Sequence, residues 1–203
     1  YIEGGPKKKA VIETYGKIEN WDTSRVTDMS SLFNDTYFNE PIGGWNTSNV
    51  TDMSGMFYVA YVFNQDISNW DVSNVTNMEG MFTYTDSFNS PINKWDVSNV
   101  TNMKEMFFQA KSFNQPIGEW DVSKVTDMSA MFSNARKFNR PINKWKVNNV
   151  NSTFGMFERS SNFNKRLTTW GDKLPKNANA RLMFDGMKPD IIKKIAPWYS
   201  TRN

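Results

Sequence analysis

Residues 70–82 read Trp70-Asp71-Val72-Ser73-Asn74-Val75-Thr76-Asn77-Met78-Glu79-Gly80-Met81-Phe82, and after a variable stretch comes Phe88-Asn89-Ser90-Pro91-Ile92-Asn93-Lys94-Trp95. The string recurs along the chain. Trp21, Trp45, Trp70, Trp95, Trp120, Trp145 and Trp170 stand 24 residues apart once and 25 thereafter. A period of this size marks one supersecondary unit copied in tandem. Its apolar columns are Trp, Val, two of Met, two of Phe, and Ile, with Leu32 and Leu167 as substitutes. A single unit cannot bury that many apolar side chains, but stacked units can cover one another.

The spacing inside the unit predicts a short helix. Val75, Met78, Met81 and Phe82 fall on one helical face, with Thr76 as its N-cap and Glu79 completing a capping box. The segment Ile92-x-x-Trp95-x-Val97 predicts a short strand with Trp95 and Val97 on one face. Pro41, Pro91, Pro116 and Pro141 keep the chain before the Ile column extended or turned. Strands stack at about 4.8 Å and helices at about 8–10 Å, so such a stack bends. The expectation is an α/β repeat: a right-handed, leucine-rich-repeat-like solenoid of about six 25-residue units, with strands concave and helices convex. Residues 1–20 form the N-terminal cap, as a half-unit strand over the first coil. Residues 21–169 form six tandem repeats. Residues 170–203 form a degenerate repeat and a helical C-terminal cap, with a short amphipathic helix over Asp190–Ile195.

The string Phe-Asn-x-x-Ile-x-x-Trp-Asp-Val-Ser-Asn-Val-Thr-x-Met-x-x-Met-Phe resembles the BspA-like leucine-rich-repeat surface proteins, a repeat of unknown function abundant in mycoplasmas. The resemblance spans about Ile18 to Trp170. It implies a secreted or membrane-anchored bacterial surface protein of lipoprotein type, often discussed as adhesive. It carries over no catalytic or ligand-binding residue, because the shared positions are core positions.

The composition narrows the chemistry. The 203 residues include no Cys and no His, so nucleophilic and acid–base options shrink to carboxylates, Lys, Tyr and Ser. None of these forms a unique constellation in a pocket, and the chain reads as no enzyme, without cofactor or metal. Asp22, Asp71, Asp96 and Asp121 stack in one column, which invites calcium. Yet one carboxylate per unit falls short of the six to eight oxygens that Ca²⁺ takes, and each Asp can cap its own turn. The Met-x-x-Met pairs could suit a soft metal, or fill the core. The Asn column (Asn39, Asn64, Asn89, Asn114, Asn139, Asn164) reads as a buried ladder to neighbouring turns. Asn49, Asn74 and Asn99 begin glycosylation-type triplets that belong to the repeat itself.

Residues outside the repeat remain as candidates. Tyr58, Tyr61, Tyr84 and Phe108 lie in the variable stretches of adjacent units, either as a surface aromatic strip for ligand binding or as packing over grooves. Charge is polarised. Residues 10–133 carry six basic and sixteen acidic residues, a net of −10, and residues 134–203 carry fifteen and four, a net of +11. Arg140, Lys144, Lys146, Lys165, Arg166, Lys193 and Lys194 could bind a polyanion, or merely form a solvated face. The expected function is a protein-binding or adhesion module at the cell surface, anchored by a segment outside this sequence. Its partner would be a host or matrix protein, and the alternative is a surface glycan or other polyanion. No specific nucleic acid partner and no transmembrane segment are expected, and the oligomeric state is left open.

Overall fold

The computed structural model describes residues 5–201, so the outermost parts of both expected caps, 1–4 and 202–203, lie outside it. The expected α/β architecture is not what forms. Among the described residues no strand runs beyond one paired residue per unit, and every α-helix lies outside the first six units: α1 (Gly5–Tyr15), α2 (Trp170–Lys173) and α3 (Pro189–Ile195). With neither strand nor helix in those units, the bending argument has nothing to act on.

Each unit is instead a chain of β-turns. In the second unit the N–H groups of Met56, Tyr58 and Ala60 donate to the carbonyls of Met53, Gly55 and Phe57, three residues back. Further turns close Ile42–Trp45, Thr47–Val50 and Ala60–Phe63. The residues between donate outward. Met53, Gly55, Phe57 and Val59 give their N–H groups to Asn77, Glu79, Met81 and Thr83 of the next unit, at 2.8–3.0 Å. Single parallel pairings run in sequence through Asp28, Asp52, Asn77, Asn102, Asp127, Ser152 and Asn179. A helix would bond every N–H within itself; here alternate ones tie unit to unit.

Backbone geometry explains why the helix fails. Two positions per unit have positive φ: Gly55 and Val59, Gly80 and Tyr84, Glu105 and Gln109, Ala130 and Asn134. The first and last of the three overlapping turns therefore carry a left-handed third residue, the signature of a type II turn. Glycine fits the first position at Gly55, Gly80 and Gly155. The expected capping residue Thr76 instead joins the ladder, its N–H and hydroxyl both reaching the Thr51 carbonyl. Trp95 and Val97 are both buried as the alternation implied, although Trp95 N–H closes a turn onto Ile92.

Burial follows the columns. Apart from Trp21, Val26 and Leu32 in the first unit, the Trp, Val, Met, Phe and Ile columns are closed to solvent. Phe57, Phe82, Phe107 and Phe132 stack along the core with ring centroids 5.6–5.7 Å apart, and each lies 3.8–4.0 Å from a partner, Phe63, Phe88, Phe113 or Phe138. Each indole N–H donates to the Ile carbonyl of the previous unit, from Trp45 onto Ile18 through Trp170 onto Ile142. Ile67 shows the economy: its carbonyl accepts Trp70 N–H within the turn and Trp95 Nε1–H from the next unit. Both lone pairs of a buried acceptor are thereby satisfied.

The ends differ from the middle. In place of the expected half-unit strand, residues 5–15 form α1, which buries no side chain. Lys7 to Ala10 favour helix, and Gly16 (φ +75) ends it by donating to the Ile12 carbonyl. Ile18 alone enters the core there and receives the Trp45 indole. At the other end Met183 and Phe184 are buried under a further turn edge. The eighth tryptophan, Trp198, lies outside the period yet takes the next rung by donating to Leu167 at 2.8 Å.

Candidate functional site

Turn geometry sorts side chains at the variable edge. Met53, Met56, Phe57 and Ala60 point inward, leaving Tyr58 and Val59 toward solvent. Tyr84 is shifted by one residue within its unit: it occupies the position of Val59 and Gln109, whereas Tyr58 occupies that of Thr83 and Phe108. The offset lets the rings meet edge to face. Tyr58 and Tyr84 lie 6.3 Å apart at 71°, and Tyr84 and Phe108 lie 5.5 Å apart at 73°. Gln109 Nε2 donates to the Tyr84 hydroxyl at 3.0 Å and fixes the middle ring. Tyr58 remains 37% exposed, and Tyr84 and Phe108 are half-buried. The strip is thus both packing and surface.

Tyr61 is not part of it. It is 41% exposed, beside Val62, and makes no ring contact with the other three. Further apolar and aromatic residues outside the sequence-predicted strip are exposed, among them Tyr37 at 81% and Leu32 at 44%. Leu32 sits in a core column and gave no signal, because its exposure comes only from being in the first unit.

The basic residues separate into two groups. Arg140 Nε donates to the Asn114 carbonyl, as Gln65 and Gln115 do to Asn39 and Asn89, so it holds adjacent units together. Lys144 pairs with Glu119 at 2.6 Å. Lys146 helps hold the Asp121 carboxyl below its ordinary range, a shift caused first by the Ser123 hydroxyl and N–H. Lys165, Arg166, Lys193 and Lys194 have no carboxylate within 4.0 Å among the described residues. The last two lie on α3.

The polar columns are structural. Asp22, Asp71, Asp96 and Asp121 each accept the N–H of the serine two residues on. No group of three or more His, Cys, Asp or Glu residues could hold a metal among the described residues. The Met pairs are sealed in the core. The Asn ladder runs as foreseen in its bonding, with Asn39 Oδ1 accepting Asn64 N–H and so on to Asn164. It is not buried, however: these side chains line the exposed or half-exposed rim. Asn49, Asn74 and Asn99 donate their Nδ2 hydrogens to Ser24, Ser48 and Ser73 of the previous unit.

A family described as Mycoplasma protein of unknown function, DUF285, matches residues 7–107 and again 88–198. The chain belongs to this family. The double, overlapping match reflects units similar enough to fit the family pattern at two places along the stack. No curated protein and no solved structure matches the chain. No helix among the described residues is long and apolar enough to cross a membrane.

Proposed function

We propose that this DUF285 protein is a non-enzymatic, surface-displayed module that binds another protein through its turn edge. The observation that carries the reading is the Tyr58–Tyr84–Phe108 chain of edge-to-face rings, at positions where other units place small or polar residues. Aromatic side chains that are pre-ordered and partly exposed lose little freedom on binding and are enriched at hot spots. The resemblance of the repeat string to BspA-like surface proteins supports display outside the cell and an adhesive role toward a host or matrix protein. A binding screen against extracellular-matrix proteins, followed by Tyr58→Ala with Phe108→Ala, tests this. A loss of about thirtyfold or more in affinity is expected, since even one hot-spot truncation costs about 2 kcal/mol. An unchanged affinity in a folded double variant refutes the site.

A second reading rests on Lys165, Arg166, Lys193 and Lys194, which have no carboxylate within 4.0 Å among the described residues. These would draw a sulfated glycan or similar polyanion. Retention on heparin that falls with salt, and is lost when all four are changed to Gln, is the expected result. A quadruple variant eluting with the parent rules it out.

A further inference from the structure

The bonding between units has a direction. Along the overlapping turns, the alternate N–H groups donate toward the C-terminal neighbour, as Met103, Glu105, Phe107 and Gln109 do to Asp127, Ser129, Met131 and Ser133, whereas one threonine per unit, such as Thr101 onto Thr76, donates the other way. A finite stack built this way must end in unlike rows. In the first unit the carbonyls of Asp28, Ser30, Leu32 and Asn34 accept no hydrogen bond within the chain. In the last, the N–H groups of Ala180, Leu182, Phe184 and Gly186 donate to none. The rows have the same spacing, every second residue, and opposite polarity.

Among the described residues neither cap bonds the backbone of this edge. Helix α1 fully buries no side chain, and Lys8 pairs with Glu40. At the other end the capping residues bond the Trp–Ile side, where Leu167 N–H donates to Ile195 and its carbonyl accepts from Trp198, and Tyr199 meets the Phe184 ring edge to face at 5.0 Å without taking its N–H. Beside the donor row an open groove of about 720 Å³ runs past Leu182, Phe184, Gly186, Ile192 and Tyr199. Each edge also exposes a leucine, Leu32 at 44% and Leu182 at 47%. Leu182 occupies a left-handed position (φ +55) where Gly55, Gly80 and Gly155 serve other units. A large apolar residue is strained there and stays half exposed. The part of the chain bearing the acceptor row is acidic and the part bearing the donor row basic, net −10 for residues 10–133 and +11 for 134–203.

We propose that copies of this chain associate head to tail. The N–H groups of Ala180, Leu182, Phe184 and Gly186 donate to Asp28, Ser30, Leu32 and Asn34 of the next copy, extending the ladder that binds unit to unit. This is edge addition through a heterologous contact, which propagates linearly instead of closing into a symmetric dimer. The opposite charges of the two ends favour encounter and fix the polarity.

Light scattering coupled to size-exclusion chromatography tests the assembly. Mass should rise above the 23.5 kDa of one chain as concentration increases, and fall back with added salt. Leu182→Asp and Leu32→Asp each spoil one end, and Asp tolerates the left-handed backbone that Leu182 adopts. Each variant alone should stay monomeric. Their equimolar mixture should form dimers and nothing larger, because one intact donor end and one intact acceptor end remain. Leu182→Gly, which suits the backbone and keeps the N–H, should weaken association about tenfold through lost apolar contact; it keeps the test sharp should an Asp variant unfold. A parent that stays monomeric at all concentrations overturns the proposal. So do variants that associate like the parent, or folded variants whose mixture remains monomeric.

Discussion

Ala130→Gly distinguishes the turn-built unit from the helix that its apolar spacing suggests, because the two give opposite signs. Ala130 sits at φ +52, donates its N–H to Phe154 of the next unit at 2.7 Å and accepts from Ser133 at 3.0 Å. A non-glycine residue in the left-handed region costs about 1–2 kcal/mol. Glycine removes that strain but brings extra freedom in the unfolded chain, an offset of about 0.5–1 kcal/mol. The expected result is therefore neutral to stabilising, by up to about 1.5 kcal/mol. Were residues 128–132 helical, the same change would destabilise by about 1 kcal/mol. Gly80→Ala is the mirror experiment. A Cβ there meets only Thr83 Oγ1 at 3.5 Å and Tyr58 Cδ2 at 3.8 Å, so space is available and the cost comes from φ +61. Urea midpoints at unchanged slope read both. An Ala130→Gly protein that loses about 1 kcal/mol, or a Gly80→Ala protein that gains stability, would refute the turn assignment.

Two further outcomes follow from the same geometry. Trp120→Phe removes the indole bond to the Ile92 carbonyl and part of a buried ring, for a loss of roughly 2 kcal/mol. Trp21→Phe, half-buried with its N–H reaching Gly16 at 3.4 Å, should cost less than half as much, and equal losses in urea melts would contradict the indole ladder. Acid should also weaken the fold. Hydrogen bonds from Ser73 and Ser123 hold Asp71 and Asp121 below the ordinary carboxylate range, and Lys104 does the same for Glu79. With folded values depressed, their stabilisation is present above about pH 4, the unfolded range, and is lost as pH falls through the folded values. A urea midpoint that is the same at pH 3 and pH 7 would show that these bonds contribute nothing.

Much of the molecule is legible in the order of its residues. Columns that recur every 25 residues and are apolar, such as Phe57, Phe82 and Phe107, can only be a shared core, and they are. The polar columns were readable for the same reason, since Asp71 with Ser73 or Asn64 with Asn39 each needs only a partner fixed by the repeat. The departures from the repeat also pointed to Tyr58, Tyr84 and Phe108. That Tyr61 stands apart was not readable, because ring contact depends on where each variable stretch turns.

Secondary structure was the part that misled. Apolar residues three and four apart suit a helix face, but they equally suit overlapping turns that step by two residues. Gly55, Gly80 and Gly155, which would fall within the helices that the apolar spacing suggests, are the feature of the sequence that favours turns. Sequence by itself determined the period, the core columns and the residues free of them. Tertiary structure decided the backbone path, because alternate N–H groups find their acceptors 24 residues away in the next unit, not four residues back. The common direction of these alternate bonds decided that the ends are unlike, with carbonyls open at Leu32 and N–H groups open at Leu182. No single unit's sequence carries that property, since it arises only where a directional ladder stops.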